Sequence, residues 1–289
     1  MSVLIREITL DQPEMAKAVI ALATTAFGPS IRLESLRALI EMPEAGKPPL
    51  CLGAFHDDEL TGFLGCTPHR FIYHGAQVLL YQPAWAVTSA AWRGKGIFTS
   101  LIQHAKEILK KDGAGGMFAS PNPKSGPVFT GPLGFNKLGA LRIGMVLATW
   151  GIRKNGHPMP KSDSLSAQDE DLFAWQGRRL GTNNIKLVKD NDGNQLWARK
   201  RSLRKLGITI PYWLVGGVST YDPAILKGLL KQLKGPALRL FFYTDQSASA
   251  SLFRFSRLSK GNYLVWKSYG NGLPDAPSFN CMMGVFDHF

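Results

Sequence analysis

The chain has 289 residues, 45% hydrophobic and 19% charged, which excludes general disorder and leaves room for two domains of roughly 100–150 residues. Three cysteines, Cys51, Cys66 and Cys281, are too few and too scattered for a disulfide framework or a thiolate zinc site. Thirty-four Lys and Arg against 21 Asp and Glu give a net charge of +13, so the expected partners are anionic: nucleotide, phosphorylated substrate, nucleic acid or membrane surface.

Residues 3–8 open the chain with a short β-rich run. Glu7 and Asp11 fall where a signal peptide would carry its apolar core, and no stretch approaches the roughly 18 apolar residues of a membrane span. A soluble, cytoplasmic protein is expected. Asp11 followed by Glu14 predicts a capped helix reaching Thr24, and residues 30–42 repeat the helical spacing through Ile31, Leu33, Leu36, Leu39 and Ile40. Strands are predicted over 50–55 and 60–71, joined by an acidic turn, and over 78–88. Ile97, Phe98, Leu101, Ile102, Ala105, Ile108 and Leu109 then share one helix face, closed by Lys110-Lys111-Asp112-Gly113. Residues 116–120 and 141–149 read as strands.

Residues 151–168 are polar and Pro-bearing, which suits a linker between domains at 1–150 and 169–289. In the second half, helices are expected over 169–180 and 221–233, and a hairpin over 185–188 and 195–201 around Asp192-Gly193. Further strands are expected at 208–215, 238–243, 263–267 and 279–285. The alternation argues for a mixed α/β sheet in each half. Charge is uneven between them. Residues 1–150 hold 14 basic and 11 acidic side chains, a net of +3, whereas residues 151–289 hold 20 and 10, a net of +10.

The informative segment is 86–98, where a strand ends, a loop with two glycines turns, and a helix begins. Free N–H groups at a helix N-terminus, the positive end of its dipole and glycines that allow close approach together make an anion site. Arg93 and Lys95 add attraction at longer range. The spacing fits neither a Walker loop nor the dinucleotide Gly-x-Gly-x-x-Gly pattern. A tight turn with no ligand is the plainer alternative.

Arg93-Gly94-Lys95-Gly96-Ile97-Phe98 resembles the acyl-CoA pyrophosphate loop of the GNAT superfamily of acyltransferases, whose pattern is Arg/Gln-x-x-Gly-x-Gly/Ala. Phe118-Ala119-Ser120-Pro121-Asn122, with Ser125, Phe129 and Leu133-Gly134-Phe135, resembles the family's next strand, helix and Gly-Phe turn. The resemblance covers roughly residues 1–150; the second half matches in element order alone, as a degenerate GNAT-like or acceptor-recognition domain. It implies that the backbone of Ala86, Val87 and Thr88 holds the pantetheine of acetyl-CoA. It further implies that the N–H groups of Arg93, Gly94, Lys95, Gly96, Ile97 and Phe98, with Thr99, hold the pyrophosphate. Asn122 is expected to flank the thiol end, and Phe129 to pack on the pantetheine arm. The implied reaction is direct acyl transfer to an amine, without a metal. Two positions depart from the pattern: Phe98 replaces a small residue, and Phe129-Thr130 stands where many members carry a tyrosine acid.

Tyr81, in the strand leading to the loop, is the candidate acid or base, against an ordinary half-buried tyrosine. His69 and His74 read as solvated turn residues, His104 as a surface residue and Cys66 as core. Asp287-His288 beside the terminal carboxylate is an acid/base-capable pair. The +10 half, with its cluster at 199–205, suits a small amine or amino-sugar acceptor that is phosphorylated or nucleotide-linked. A non-catalytic CoA sensor, or a nucleic-acid binder on the same scaffold, are the competing readings.

Overall fold

The computed structural model describes residues 3–29, 31–153, 164–167, 169–180, 185–205, 207–244 and 252–280. The chain forms β1 (Leu4–Glu7), α1 (Pro13–Phe27), α2 (Leu33–Ile40), β2 (Leu50–His56), β3 (Glu59–Tyr73), β4 (Ala76–Thr88), α3 (Ile97–Lys111), β5 (Gly116–Ala119) and α4 (Gly126–Thr130). There follow β6 (Asn136–Leu147), β7 (Ser164–Ala167), α5 (Asp169–Leu180), β8 (Ile185–Lys189), β9 (Gln195–Lys205), β10 (Ile208–Val218), α6 (Pro223–Gln232), β11 (Leu238–Thr244), β12 (Phe255–Ser268) and β13 (Ser278–Asn280). This is the mixed α/β class expected. Among the described residues no helix is long and apolar enough to cross a membrane.

Two compact units emerge. The first comprises Met1–Arg70, Val78–Asn136 and Val265–Asp275; the second comprises Phe71–Gln77, Lys137–Leu264 and Ala276–Phe289. The expected boundary at residue 150 therefore lies inside the second unit, and a late segment returns to the first. The stretch expected as a linker contains β7, which pairs with β13 and with Phe71 and Ile72 of β3. Its four residues, Ser-Leu-Ser-Ala, are too short to outweigh polar, Pro-rich neighbours in a sequence reading. Residues 154–163 lie outside the described ones.

In the first unit the strand order is β1-β2-β3-β4-β5-β12. Strands β1 to β3 pair antiparallel, β4 and β5 pair parallel, and β12 returns antiparallel to β5. Helix α1 begins with Pro13, which fits a position whose N–H has no intrahelical partner. Its N-cap is Gln12; Asp11, expected there, instead pairs with Arg37 of α2 at 2.7 Å. Val19, Leu22, Leu36 and Ile40 bury the faces of these helices with Phe55, Phe63 and Val87. Helix α3 buries Ile97, Leu101, Ile102, Ala105 and Leu109, the stripe that its helical spacing predicts.

In the second unit the order is β6-β11-β10-β9-β8, with β10 and β11 parallel. Asp222 caps α6 by accepting from the Ala224 and Ile225 amides at 2.7 and 3.0 Å. Leu226, Leu229 and Leu230 then pack with Val215, Phe241 and Phe253. At the other end of α6, buried Arg239 donates to the Leu230 and Leu233 carbonyls at 3.1 Å each, adding to the Leu233 N–H bond that Leu230 already accepts.

Two glycines give opposite expectations. A Cβ at Gly116 would overlap the Lys267 carbonyl and the Trp266 ring across the β5–β12 ladder. Gly116→Ala should cost about 1–3 kcal/mol through overpacking. Gly228, exposed in α6 with nothing within 4 Å of its Cβ position, should gain about 0.5–1 kcal/mol as alanine. Chemical denaturation of both variants reads the two signs.

Candidate active site

The site begins where two parallel strands part. Gly115 N–H donates to the Leu79 carbonyl at 2.9 Å, and the β4–β5 register pairs Leu80 with Gly116 and Tyr81 with Met117. Strand β4 runs on to Thr88 whereas β5 ends at Ala119. Past Tyr81 the edge of β4 that faced β5 therefore carries peptide groups with no ladder partner, and Ala86, Val87 and Thr88 lie on this stretch. Pro83, inside it, has no N–H to offer a neighbouring strand. On its other edge β5 is held by four rungs to β12, from Val265–Ala119 to Ser268–Gly116.

After β4 the chain makes a single 3-10 turn over Ala90–Trp92, closed by Trp92 N–H to the Ser89 carbonyl at 3.0 Å. Gly94 and Gly96 then take φ of 77° and 79°, the left-handed region where a side chain is strained. Gly96 is the N-cap of α3 and brings no side chain to cap it. The first bond into the helix is Ser100 N–H to the Gly96 carbonyl at 2.9 Å. Among the described residues, the N–H groups of Ile97, Phe98 and Thr99 therefore have no backbone acceptor, and those of Gly94 and Gly96 have none either. Nothing lies within 4 Å of a Cβ built on either glycine, so the space beside both is open. Arg93 folds back, its Nε donating to the Thr88 carbonyl at 3.4 Å, and Lys95 Nζ sits 4.5 Å from the centroid of the Trp92 ring. Converging donors at the positive end of a 15-residue helix suit a diphosphate.

Phe98 meets the Phe129 ring at 5.6 Å, and Phe129 meets Phe135 at 4.9 Å, both edge-on. The bulky residue at the end of the loop is thus accommodated by an aromatic cluster behind it. Phe129 is buried within that cluster. Thr130 bonds its hydroxyl to the Gly126 carbonyl at 3.2 Å, one turn back in α4. Asn122 accepts from the Lys124 and Ser125 amides at 2.9 Å each, which commits its oxygen to the turn before α4.

Tyr81 stands on the last rung of the fork and is buried; burial, then Asp112 and Cys66, push its phenol up to about 12. One residue further along β4, Gln82 lies beside His69 of β3. Both are buried, and the imidazole meets the edge of Phe118 at 5.4 Å, the residue after Met117 on β5. His69 is not the solvated turn residue expected: β3 continues to Tyr73, and the turn falls at His74-Gly75. Burial lowers His69 to about 3, against an opposing pull from Gln82. The missed signal was the glycine at position 75, which places the hairpin tip six residues beyond His69. His104 is exposed on α3, and Cys66 is fully buried as expected, with burial raising its thiol well above the ordinary range. Asp287 and His288 lie outside the described residues. No group of three or more potential metal ligands occurs among the described residues.

Residues 5–137 match the family model described as an acetyltransferase (GNAT) domain. The fold is similar to that of a conserved protein of unknown function from Enterococcus faecalis V583, described as a probable N-acyltransferase, with TM-score 0.64 and 12% identity over 93% of this chain and 73% of that one. A GCN5-related N-acetyltransferase from Anabaena variabilis ATCC 29413 gives 0.63 at 10% identity, over 93% and 73%. Another from Kribbella flavida gives 0.58 at 13%, over 93% and 72%. At such identities the likeness is one of fold. No curated protein matches the chain.

The buried imidazole leaves a signature in stability. Below its ordinary 6.5 an unfolded His69 binds a proton that the folded chain refuses until about 3. Its contribution is whole above pH 6.5 and is lost as pH falls towards 3, at about 1.4 kcal/mol per pH unit for one proton. Urea unfolding of wild type and His69→Gln between these limits should give a steeper acid loss for wild type; parallel curves would refute the assignment.

Proposed function

We propose, from the match of residues 5–137 to the GNAT acetyltransferase domain model, that the protein is an acyl-CoA-dependent N-acyltransferase. The acyl group, acetyl in the simplest case, passes directly from CoA to the amine of a small molecule or amino sugar. The observation that carries this reading is the fork between β4 and β5 opening beside a loop of unpartnered N–H groups. A long ligand with amides at one end and a diphosphate at the other matches both parts.

Acyl-CoA, when bound, supplies an activated thioester. The open edge of β4 around Ala86, Val87 and Thr88 would hydrogen-bond the pantetheine amides. The N–H groups of Gly94, Gly96, Ile97, Phe98 and Thr99 would hold the pyrophosphate, with Arg93 and Lys95 as its counter-charges. The acceptor nitrogen forms a C–N bond as the C–S bond breaks, losing one proton while the sulfur gains one. Tyr81, protonated up to about 12, can donate a hydrogen bond near the fork but cannot collect a proton at neutral pH. His69, neutral down to about 3, holds none to give and is too weak a base to keep one. Neither Tyr81 nor His69 therefore serves as the base, and in this reading the acceptor arrives as the free amine and is positioned by the protein.

A second reading, CoA binding without turnover, draws on Thr130, whose hydroxyl is committed to α4 where related enzymes carry an acid. Calorimetry with acetyl-CoA, followed by turnover assays on a panel of amines, separates the two readings. Binding should be seen, and Gly96→Val should weaken it at least about tenfold, or about 1.4 kcal/mol; no binding by wild type sinks both readings. For the enzyme, the pH midpoint of kcat/KM should move with the pKa of the acceptor. Tyr81→Phe should lower kcat without moving that midpoint. One fixed midpoint for all acceptors would show that a protein group is the base.

A further inference from the structure

Among the described residues, β8 pairs with β9 as far as Arg199 and β11 pairs with β10 from Trp213 onwards. Past those rungs the described part of β9 and β10 continues as a two-stranded ribbon, from Arg201–Tyr212 out to Lys205–Ile208. Across the ladder Leu203 stands opposite Ile210, and Ile208 lies two residues further along the same face, so the pleat gathers three aliphatic side chains at the tip. Their exposures are 54%, 39% and 65%. Arg201 faces Tyr212 on that side; Lys200 and Arg204 project from the other. Residues 193–221 contain five Lys and Arg and no carboxylate. No carboxylate among the described residues lies within ion-pair distance of Lys200, Arg201 or Arg204.

We propose that this ribbon docks the protein on an anionic lipid surface, its aliphatic tip entering the headgroup boundary while Lys200, Arg201 and Arg204 meet lipid phosphates. The combination selects that partner. A second copy would bring the same uncompensated cations face to face. A nucleic acid would meet Leu and Ile where stacking needs rings, and the single aromatic on that face, Tyr212, is half-buried at the ribbon root. Aliphatic side chains ringed by cations are what a charged bilayer surface takes up, each Lys or Arg adding attraction that salt weakens. Crowding is already felt within the ribbon, where Arg201 adds to burial in lowering the Arg199 pKa. Such docking is peripheral and needs no spanning segment.

Vesicle flotation of the full chain tests this, using phosphatidylcholine alone and phosphatidylcholine with about 30% phosphatidylserine, at about 0.1 M salt. Wild type should float with the serine-containing vesicles and stay behind with neutral ones. Leu203→Ser with Ile208→Ser, and separately Arg201→Glu with Arg204→Glu, should each cut partitioning about tenfold while leaving the melting temperature unchanged. An Ile208→Trp variant should show a blue-shifted emission on adding the anionic vesicles. Failure of wild type to bind, equal binding by the serine variant, or no spectral shift would overturn the proposal. So would a change in sedimentation of the serine variant, which would assign the tip to a second copy, or tighter retention of single-stranded nucleic acid than of vesicles, unaffected by the serine changes.

Discussion

The candidate site depends on how β5 is held. A strand that leaves its parallel neighbour after two rungs has little to keep it in place, because its remaining N–H and C=O groups on that side go unpaired. Strand β5 can do so because its other edge carries four rungs to β12, over Val265, Trp266, Lys267 and Ser268. Gly116 lets the two backbones approach closely, and Lys267 Nζ reaches the Gly134 carbonyl at 2.9 Å to fix the turn beyond α4. Asn271 and Tyr269 bond back to Ala114 and Gly115 at the root of the same strand. The fork is therefore built from segments far apart in the chain, and the first unit includes residues 265–275.

With the fork in place, binding and chemistry make different demands on charge. The half bearing the loop has a net charge of only +3. Under the proposed function its hold on a diphosphate would come from N–H groups set by two left-handed glycines. The nearby titratable side chains are buried, and burial moves both away from neutrality, Tyr81 upwards and His69 downwards. Under the proposed function, a site so arranged orients the reactants and leaves proton traffic to the acceptor. Phe98 fits this picture, since its ring leans on Phe129 rather than on the space above the glycines.

What the sequence revealed follows the range of the interactions concerned. The loop from Arg93 to Phe98 was legible because its glycines, helix start and apolar stripe all lie within some fifteen residues of one another. Helix α3 and the turn at Asp192-Gly193 were legible for the same reason. The burial of His69 was not, because a histidine in a polar-looking stretch becomes core only when β4 and β5 bring Gln82 and Phe118 to it. Nor was the return of β12 to β5, a pairing across almost 150 residues that no local pattern announces. The cluster at 199–205 was legible as charge but not as structure. It is the outer half of β9, its alternation masked because cations occupy both faces.

The ribbon also explains why the charge excess of the second half can be tolerated. Isolated two-stranded hairpins are marginal in water, and like charges along one strand oppose folding further. Here the ribbon is rooted in a core where Trp213, Val215 and Ala198 pack with Leu226, Leu229 and Phe241. That core fixes the register, so the tip must present Leu203, Ile208 and Ile210 together whatever their solvation cost. A chain free to place polar residues at an exposed tip has nothing to gain in stability from aliphatics there. Their presence, beside cations with no carboxylate partner among the described residues, is a cost the folded chain alone does not recover. It is recovered only when an apolar, anionic surface covers the tip, which ties the composition of this half to what it touches rather than to how it folds.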